Sequence, residues 1–164
     1  MNDFDIDLLV NEGGGGVKAE EFLGARENLT EDIILQTALF RNWTGWMTQI
    51  TSAWRETGSH YLGKSIDALL WTKWKEEQPE PSVIWNRLTT WPWQGVGIYF
   101  DWNDGLGVHW DLVSPEERDR PLRWLRVNGI YYYQKEDDNF YTKEGDKVTC
   151  LEDEINAWLL RRFK

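Results

Sequence analysis

Two histidines and one aspartate are the residues whose types and spacing most directly predict chemistry. The chain contains only two histidines, His60 and His109, and Asp67 follows the first within the segment GSHYLGKSID. On one continuous helix, a seven-residue step from His60 to Asp67 would separate them by about 10 Å along the axis, too far for one ion. Gly63 lies between them and allows the chain to bend. We therefore expect two metal ligands to meet across a glycine turn.

The second histidine lies in the segment GVHWD, which reads as a strand. Because side chains alternate along a strand, we expect His109 and Asp111 on one face and Val108 and Trp110 on the other. Two histidines and one carboxylate are a typical set of catalytic zinc ligands, which leaves a fourth position open for water. Zinc in such a site lowers the pKa of water to near 7 and makes it a usable nucleophile. The three residues therefore predict a catalytic zinc site.

The same three residues also fit ordinary structural roles. Asp67 fits the cap of a helix that begins at Ala68, and His60 fits an exposed loop. His109 fits a strand residue that is held by hydrogen bonds. Short motifs match by chance often, so the spacing alone leaves both interpretations open.

The elements that must position these residues are helices in the first half of the chain. Thr30, followed by two acidic residues, is typical of a helix start. Apolar residues at helical spacing in residues 33–50 predict one helix or two. The pattern in residues 65–81 predicts a strand or loop followed by a helix. Pro79 and Pro81 are expected to end this helix.

The second half predicts a sheet. Five short segments are rich in β-branched and aromatic residues and are separated by turn signals, which predicts an antiparallel meander. These segments are GVGIYFDW, LGVHWDLV, RWLRVNG, IYYYQ and NFYTK. Residues 151–164 carry acids first and bases last, which favours a closing helix. We predict an α+β fold in which helices pack on an antiparallel sheet.

Three segments follow from the composition along the chain. Residues 1–17 form an acidic arm with a glycine-rich linker, residues 18–129 form the domain with the metal ligands, and residues 130–164 form an extension of strands and a helix packed on the same domain. A protein partner could bind through the arm or through the extension, and the arm could equally be disordered.

Charge and composition exclude several classes of protein. With 28 acidic and 18 basic residues the net charge is −10, which argues against nucleic-acid binding. The single cysteine excludes an internal disulfide framework. The N-terminus lacks the features of a signal peptide, and no apolar stretch is long enough to span a membrane. We therefore expect a soluble protein made in the cytoplasm.

Residues 50–67, ITSAWRETGSHYLGKSID, resemble the signature of a known peptidase family. It is the family of zinc D-alanyl-D-alanine carboxypeptidases and phage L-alanyl-D-glutamate endopeptidases, whose fold is shared with the hedgehog signalling domain. Residues 95–112 resemble the later strand of that family, which carries a Val-His-x-Asp pattern. RPLRW at residues 120–124 resembles the arginine-rich ending that often follows. The resemblance covers about residues 20–127 and implies the hedgehog/DD-peptidase fold.

The resemblance also implies roles for individual residues. The zinc ligands would be His60, Asp67 and His109. Arg55 matches the arginine that stabilises the charge developing on the attacked carbonyl. Asp111 matches the aspartate after the third ligand, where it would orient a histidine, and Ser59 lies one place from the serine that precedes the first ligand.

The sequence departs from the family pattern at the general base. An acid often stands three residues before the third ligand, and this position is Leu106. We expect Asp104 to replace it, with Asp101 as the next candidate. Tryptophans close to the motifs in sequence are expected to line the substrate cleft. These are Trp54, Trp91, Trp93, Trp102 and Trp110.

The activity that the resemblance implies is hydrolysis of peptide bonds in the stem peptides or cross-links of peptidoglycan. A phage endolysin that reaches the periplasm through a holin, or a lysin carried in the virion, would fit this activity. The alternative is a non-catalytic structural or interaction protein, a virion component or an inhibitor, that keeps the peptidase fold. The acidic surface and the apolar residue at position 106 favour that alternative.

Overall fold

A computed structural model describes residues 19–22, 26–102, 105–118, 122–149, 151 and 155 of the chain. Within this part, two α-helices and one seven-stranded mixed sheet form the fold. The helices are α1 (Glu31–Thr44) and α2 (Pro81–Thr90). The strands are β1 (Met47–Ser52), β2 (Ser65–Trp71), β3 (Gly95–Tyr99), β4 (Gly107–Asp111), β5 (Arg123–Val127), β6 (Ile130–Gln134) and β7 (Phe140–Tyr141).

The α+β class is confirmed, but the sheet is mixed rather than antiparallel. Its strand order is β1-β2-β4-β3-β5-β6-β7. The five segments predicted as strands do form β3 to β7, yet β5 pairs in parallel with β3 instead of with β4. β3 therefore lies between β4 and β5 in the sheet. Turn signals mark where a strand ends but do not specify which strand the next one pairs with, so the predicted meander is wrong here.

The predicted start of α1 is confirmed, and its end comes earlier than the apolar pattern indicated. Thr30 occupies the N-cap position with an extended backbone, although its side chain makes no capping hydrogen bond. Gly45 takes a left-handed conformation, with φ of 68°, and ends the helix. The chain then enters β1, whose apolar side chains had extended the helical pattern.

The helix predicted after β2 does not form. Residues 72–77 make a turn closed by the bridge between Lys73 and Glu77. Pro81, which was expected to stop a helix, begins α2 instead. Proline suits the first turn of a helix because the amide hydrogen it lacks would have no partner there.

The core lies between the helices and one face of the sheet. Alternation along β2 and β4 directs the apolar side chains to that face, which the sequence predicted for β4. They are Ile66, Ala68 and Leu70 from β2 and Val108 and Trp110 from β4. Trp110 also donates a hydrogen bond from Nε1 to Thr37 Oγ1 of α1, at 3.0 Å. The residues between them in sequence, among them Asp67 and His109, are therefore directed to the opposite face.

The sheet continues through the segment boundary predicted at residue 129. Asn128 and Gly129 form the tight turn between β5 and β6, with φ of 51° and 80°, as two-residue hairpins favour. The predicted arm, residues 1–17, lies outside the described residues. So does the predicted closing helix, except for Leu151 and Ile155, which pack against the core. No helix among the described residues is long and apolar enough to cross a membrane.

Candidate metal centre

His60 is delivered to the centre by a short helical turn, Gly58–Leu62, which ends at Gly63. The amide of Gly63 donates to the carbonyl oxygen of His60 at 3.0 Å, and its φ is 66°. A Cβ atom at this position would also collide with the backbone carbonyl of Asn28. Both the left-handed conformation and the lack of space therefore require glycine here.

Asp67 and His109 are delivered by the sheet itself. They are directly paired across β2 and β4, and both are buried. His109 Nδ1 lies 2.7 Å from Asp67 Oδ1, and His60 Nε2 lies 3.2 Å from Asp67 Oδ2. One ligand atom from each of the three residues lies within 4.8 Å of the others. The carboxylate thus stands between the two imidazole rings.

The outer nitrogen of each histidine has its own partner. His60 Nδ1 lies 2.5 Å from the carbonyl oxygen of Ala53. A carbonyl can only accept, so Nδ1 carries a hydrogen, and the neutral His60 ring has its lone pair on Nε2. His109 Nε2 lies 3.0 Å from Asp111 Oδ2, so Asp111 can orient this ring, which is the role that the resemblance implies. These contacts leave His60 Nε2 and His109 Nδ1 as the nitrogens that face Asp67.

The ionisation of the centre follows from burial and from the mutual contacts. Burial raises the pKa of Asp67, but the hydrogen bond with His109 and the proximity of both imidazole rings outweigh it and hold that pKa well below its usual value. Burial lowers the pKa of His109, and the contacts with Asp111 and Asp67 reverse this and raise it. Burial likewise raises the pKa of Asp111, and the contacts with His109 and Arg118 lower it. The centre therefore favours ionised carboxylates.

The three residues fit a metal ion. His60 Nε2 is fully buried and, among the described residues, has no hydrogen-bond partner of good geometry. A buried polar atom without a partner is unusual and calls for an explanation. Two imidazole nitrogens and a carboxylate oxygen are the donor types that zinc and related divalent metals accept. The buried group of His60, Asp67 and His109 can therefore hold a metal ion.

Arg55 reaches the same centre from the solvent side. Its Nη2 atom lies 3.8 Å from Asp67 Oδ2, and its side chain is 53% exposed while that of Asp67 is 4% exposed. A contact of this length at a solvent-exposed arginine holds the side chain only loosely. The guanidinium is therefore close to the metal ligands and still available to another group.

The candidates for the general base are placed differently. Asp101 accepts hydrogen bonds from Arg126 Nε at 3.1 Å and from the amide of Gly129 at 2.7 Å. These bonds commit it to the turn between β5 and β6, so the structure does not bring it to the metal ligands. Asp104 lies outside the described residues. Leu106 is buried, and no described carboxylate joins the three ligands in the group.

Three of the five tryptophans predicted to line the cleft lie on the other face of the sheet. Trp93 and Trp110 stack in the core with ring centroids 5.7 Å apart. Trp91 packs on Phe40 of α1. Trp110 directly follows His109 in sequence, but the next residue on a strand points to the opposite face.

Of the other two predicted tryptophans, Trp54 is half-buried and packs against the edge of the core, and Trp102 is half-buried. Trp54 donates from Nε1 to the carbonyl oxygen of Tyr61 at 3.3 Å, beside the turn that carries His60. The ring of Trp102 occupies the space that a side chain at Gly107 would fill. Gly107 lies on the strand face that also carries His109. The side chain of Ser59 lies outside the described part of the chain.

Two residues near the ligands were not predicted. The ring of Trp124 lies 4.9 Å from that of His109, centroid to centroid, over the space that Gly97 leaves empty. Arg118 donates to Asp111 Oδ1. The RPLRW segment pointed to the position of Trp124, but no sequence signal singles out one arginine in the run that contains Arg118.

Comparison of the chain with protein-family models, with curated proteins and with solved structures found no match. The observations that bear on function are therefore the geometry of the centre and the motifs in residues 50–67 and 95–112.

Proposed function

We propose that the protein is a zinc-dependent peptidase that hydrolyses peptide bonds in peptidoglycan stem peptides or cross-links. One observation carries the proposal: two histidine nitrogens and a carboxylate converge within 4.8 Å in a buried group. Three such ligands are the usual number in a catalytic zinc site. The peptide substrate is supported by the resemblance in residues 50–67 and 95–112, which also supports the hedgehog/DD-peptidase fold.

The roles of the chain's own residues follow from their contacts. A zinc ion in this centre supplies Lewis acidity, which polarises a carbonyl group and lowers the pKa of water. Arg55 carries a permanent charge beside Asp67 and is half exposed, so it can stabilise negative charge on a carbonyl oxygen. Asp111 fixes the orientation of His109 through Nε2.

The proton transfer needs a base that can reach the attacking water. Asp111 does not fit, because Oδ2 is bonded to His109 and Oδ1 accepts from the amide of Val113 at 3.0 Å and from Arg118. Asp101 is bonded to Arg126. We therefore assign the base to Asp104, in the segment that leads into β4.

The resemblance of residues 50–67 to phage endopeptidases supports action as a phage endolysin or as a lysin carried in the virion. A second candidate function keeps the metal without hydrolysis, as a structural or interaction protein. The observation that favours it is Leu106, a buried apolar residue at the position where the resembling family often has its acid.

The test is incubation of the zinc-loaded protein with purified peptidoglycan. Newly exposed amino groups are labelled with an amine-reactive dye, and the products are identified by mass spectrometry. We expect release by the loaded protein and none after chelation of the metal or in the Asp67→Ala variant. If the protein binds zinc but releases nothing where a known peptidoglycan peptidase does, hydrolysis is contradicted and the second candidate stands.

A further inference from the structure

Arg118 occupies a buried position next to the ligands, although it comes from a loop outside the sheet. Its side chain is 5% exposed. Nη2 donates to Asp111 Oδ1 and to the carbonyl oxygen of Val113, and Nε donates to the same carbonyl at 3.1 Å. Two of its nitrogens are therefore fixed, one of them on the carboxylate of Asp111.

The two oxygens of Asp111 have different partners. Oδ1 accepts from Arg118 and from the amide of Val113, and Oδ2 faces His109 Nε2 at 3.0 Å. Asp111 is completely buried. A buried carboxylate needs a cation or several hydrogen bonds to remain ionised, and Arg118 supplies the cation on the side away from the histidine.

We propose that Arg118 is a positioning residue of the metal centre, which acts through Asp111 on His109. By holding Asp111 in place, it keeps an acceptor opposite His109 Nε2 and so presents Nδ1 of the ring to Asp67 and His60. Partners of this kind set the orientation and the tautomer of a ligating histidine. The inference rests on the metal site of the proposed function and does not depend on hydrolysis.

Two sets of hydrogen bonds fix the loop that carries Arg118. Lys64, just before β2, bonds to both carboxylate oxygens of Glu117 at 2.6 and 2.8 Å. Ser114 and Glu117 form a reciprocal capping box at the start of the short turn Pro115–Glu117. These contacts hold the residue that follows, Arg118, against the end of β4.

The sheet also leaves space for this arrangement. Gly95 is paired with Asp111 across β3 and β4. A Cβ atom at Gly95 would collide with Arg118 Nη1 and Asp111 Oδ2. Because the colliding atoms belong to the same two side chains, Gly95→Ala perturbs the arrangement without removing either charged group.

The experiment compares zinc affinity, measured by competition with a chromophoric chelator, in wild type and in three arginine variants. We expect Arg118→Gln to bind zinc about 10- to 100-fold more weakly than wild type. Loss of a residue that supports a metal ligand has an effect of this size in other metalloproteins. Arg118→Lys keeps the charge without the forked geometry of the guanidinium, so its zinc affinity should lie between those of wild type and Arg118→Gln. Arg126→Gln is the matched control, because Arg126 pairs with Asp101 instead of Asp111, and its affinity should equal that of wild type.

A second readout is nitrogen-15 NMR of the histidines in the zinc-loaded protein. In wild type we expect the ring hydrogen of His109 to be on Nε2 and to exchange slowly with solvent. In Arg118→Gln we expect this hydrogen to exchange faster. Circular dichroism checks that each variant is folded. If Arg118→Gln does not fold, Gly95→Ala takes its place, with weaker zinc binding expected.

The outcomes separate this inference from the proposed function. Failure of wild type to bind zinc would contradict both. Zinc binding by wild type, together with equal affinity and equal exchange of the Nε2 hydrogen in Arg118→Gln, would overturn the role of Arg118 alone. Equally weakened zinc binding in Arg126→Gln would also overturn the role of Arg118, because loss of any arginine near the sheet would then have the same effect.

Discussion

Asp67 and His109 face each other across β2 and β4, with Oδ1 of the aspartate 2.7 Å from Nδ1 of the histidine. The hydrogen bonds of the sheet therefore set the distance between two of the three ligands. His60 joins them from a turn that Gly63 closes. Substitutions can thus act on the metal centre through the ligands, through the turn or through the sheet, and each route has its own expected result.

Replacement of Asp67 by alanine should abolish metal binding. It removes the oxygens that stand between the two histidines, and two nitrogens alone make an incomplete site. We expect the zinc content, measured by plasma mass spectrometry after dialysis, to fall from about one ion per chain to near zero. Asp101→Asn is the control, because Asp101 bonds to Arg126 and Gly129. Full zinc content in Asp67→Ala would refute the ligand assignment.

Replacement of Gly63 by alanine should destabilise the fold and weaken zinc binding together. Alanine is strained at a φ of 66°, and its Cβ would collide with the carbonyl of Asn28. We expect a loss of about 2 to 4 kcal/mol in the free energy of unfolding, measured with urea.

Gly45→Ala is the matched control for this prediction. Gly45 has a φ of 68° and nothing within 4 Å of an added Cβ, so only the backbone strain applies. We expect a smaller loss of about 1 kcal/mol and unchanged zinc affinity. If both variants lose the same stability and bind zinc equally well, the collision at Gly63 has no effect on the site.

Replacement of Trp110 by phenylalanine should cost stability and leave zinc affinity unchanged. The ring is fully buried on the helix side of the sheet and bonds to Thr37. Phenylalanine leaves a small cavity and an unpaired hydroxyl, for which we expect a loss of about 2 to 4 kcal/mol by chemical denaturation. Thr37→Val, which removes the hydrogen bond alone, should cost less. A tenfold change in zinc affinity would instead place Trp110 in the site.

The stability contributed by Asp137 should depend on pH. Hydrogen bonds from Tyr141 and Asn139 lower the pKa of Asp137 from 3.8 to about 2. Because the pKa is lower in the folded state, the contribution is present above pH 3.8 and is lost as the pH falls towards 2. The melting temperature of Asp137→Asn should lie below that of wild type by a constant amount at pH 5 to 7.

This difference in melting temperature should shrink below pH 4. Tyr141→Phe removes the phenol that bonds to Asp137 at 2.7 Å and should show the same trend to a smaller extent. A difference between wild type and Asp137→Asn that stays constant down to the lowest pH at which both fold would contradict the lowered pKa.

The strand faces could be predicted from the sequence because they depend on a local rule, whereas the spacing of His60, Asp67 and His109 left their role open and the resemblance supplied it. Strand alternation put His109 and Asp111 on one face and Val108 and Trp110 on the other, as observed. The bend at Gly63 was predicted because only glycine takes a left-handed backbone without strain. The same local rule, applied to Trp110, would have excluded that ring from the cleft.

The order of the strands and the surroundings of the ligands depended on contacts between distant parts of the chain. β5 lies beside β3 instead of β4, which no turn signal encodes. Trp124 thereby comes to lie against His109, and Arg118 comes to Asp111 through a loop anchored on Lys64. Local composition determined which residues could bind a metal. Only the tertiary structure decided which other residues contact those residues, because such contacts join parts of the chain that are far apart in sequence.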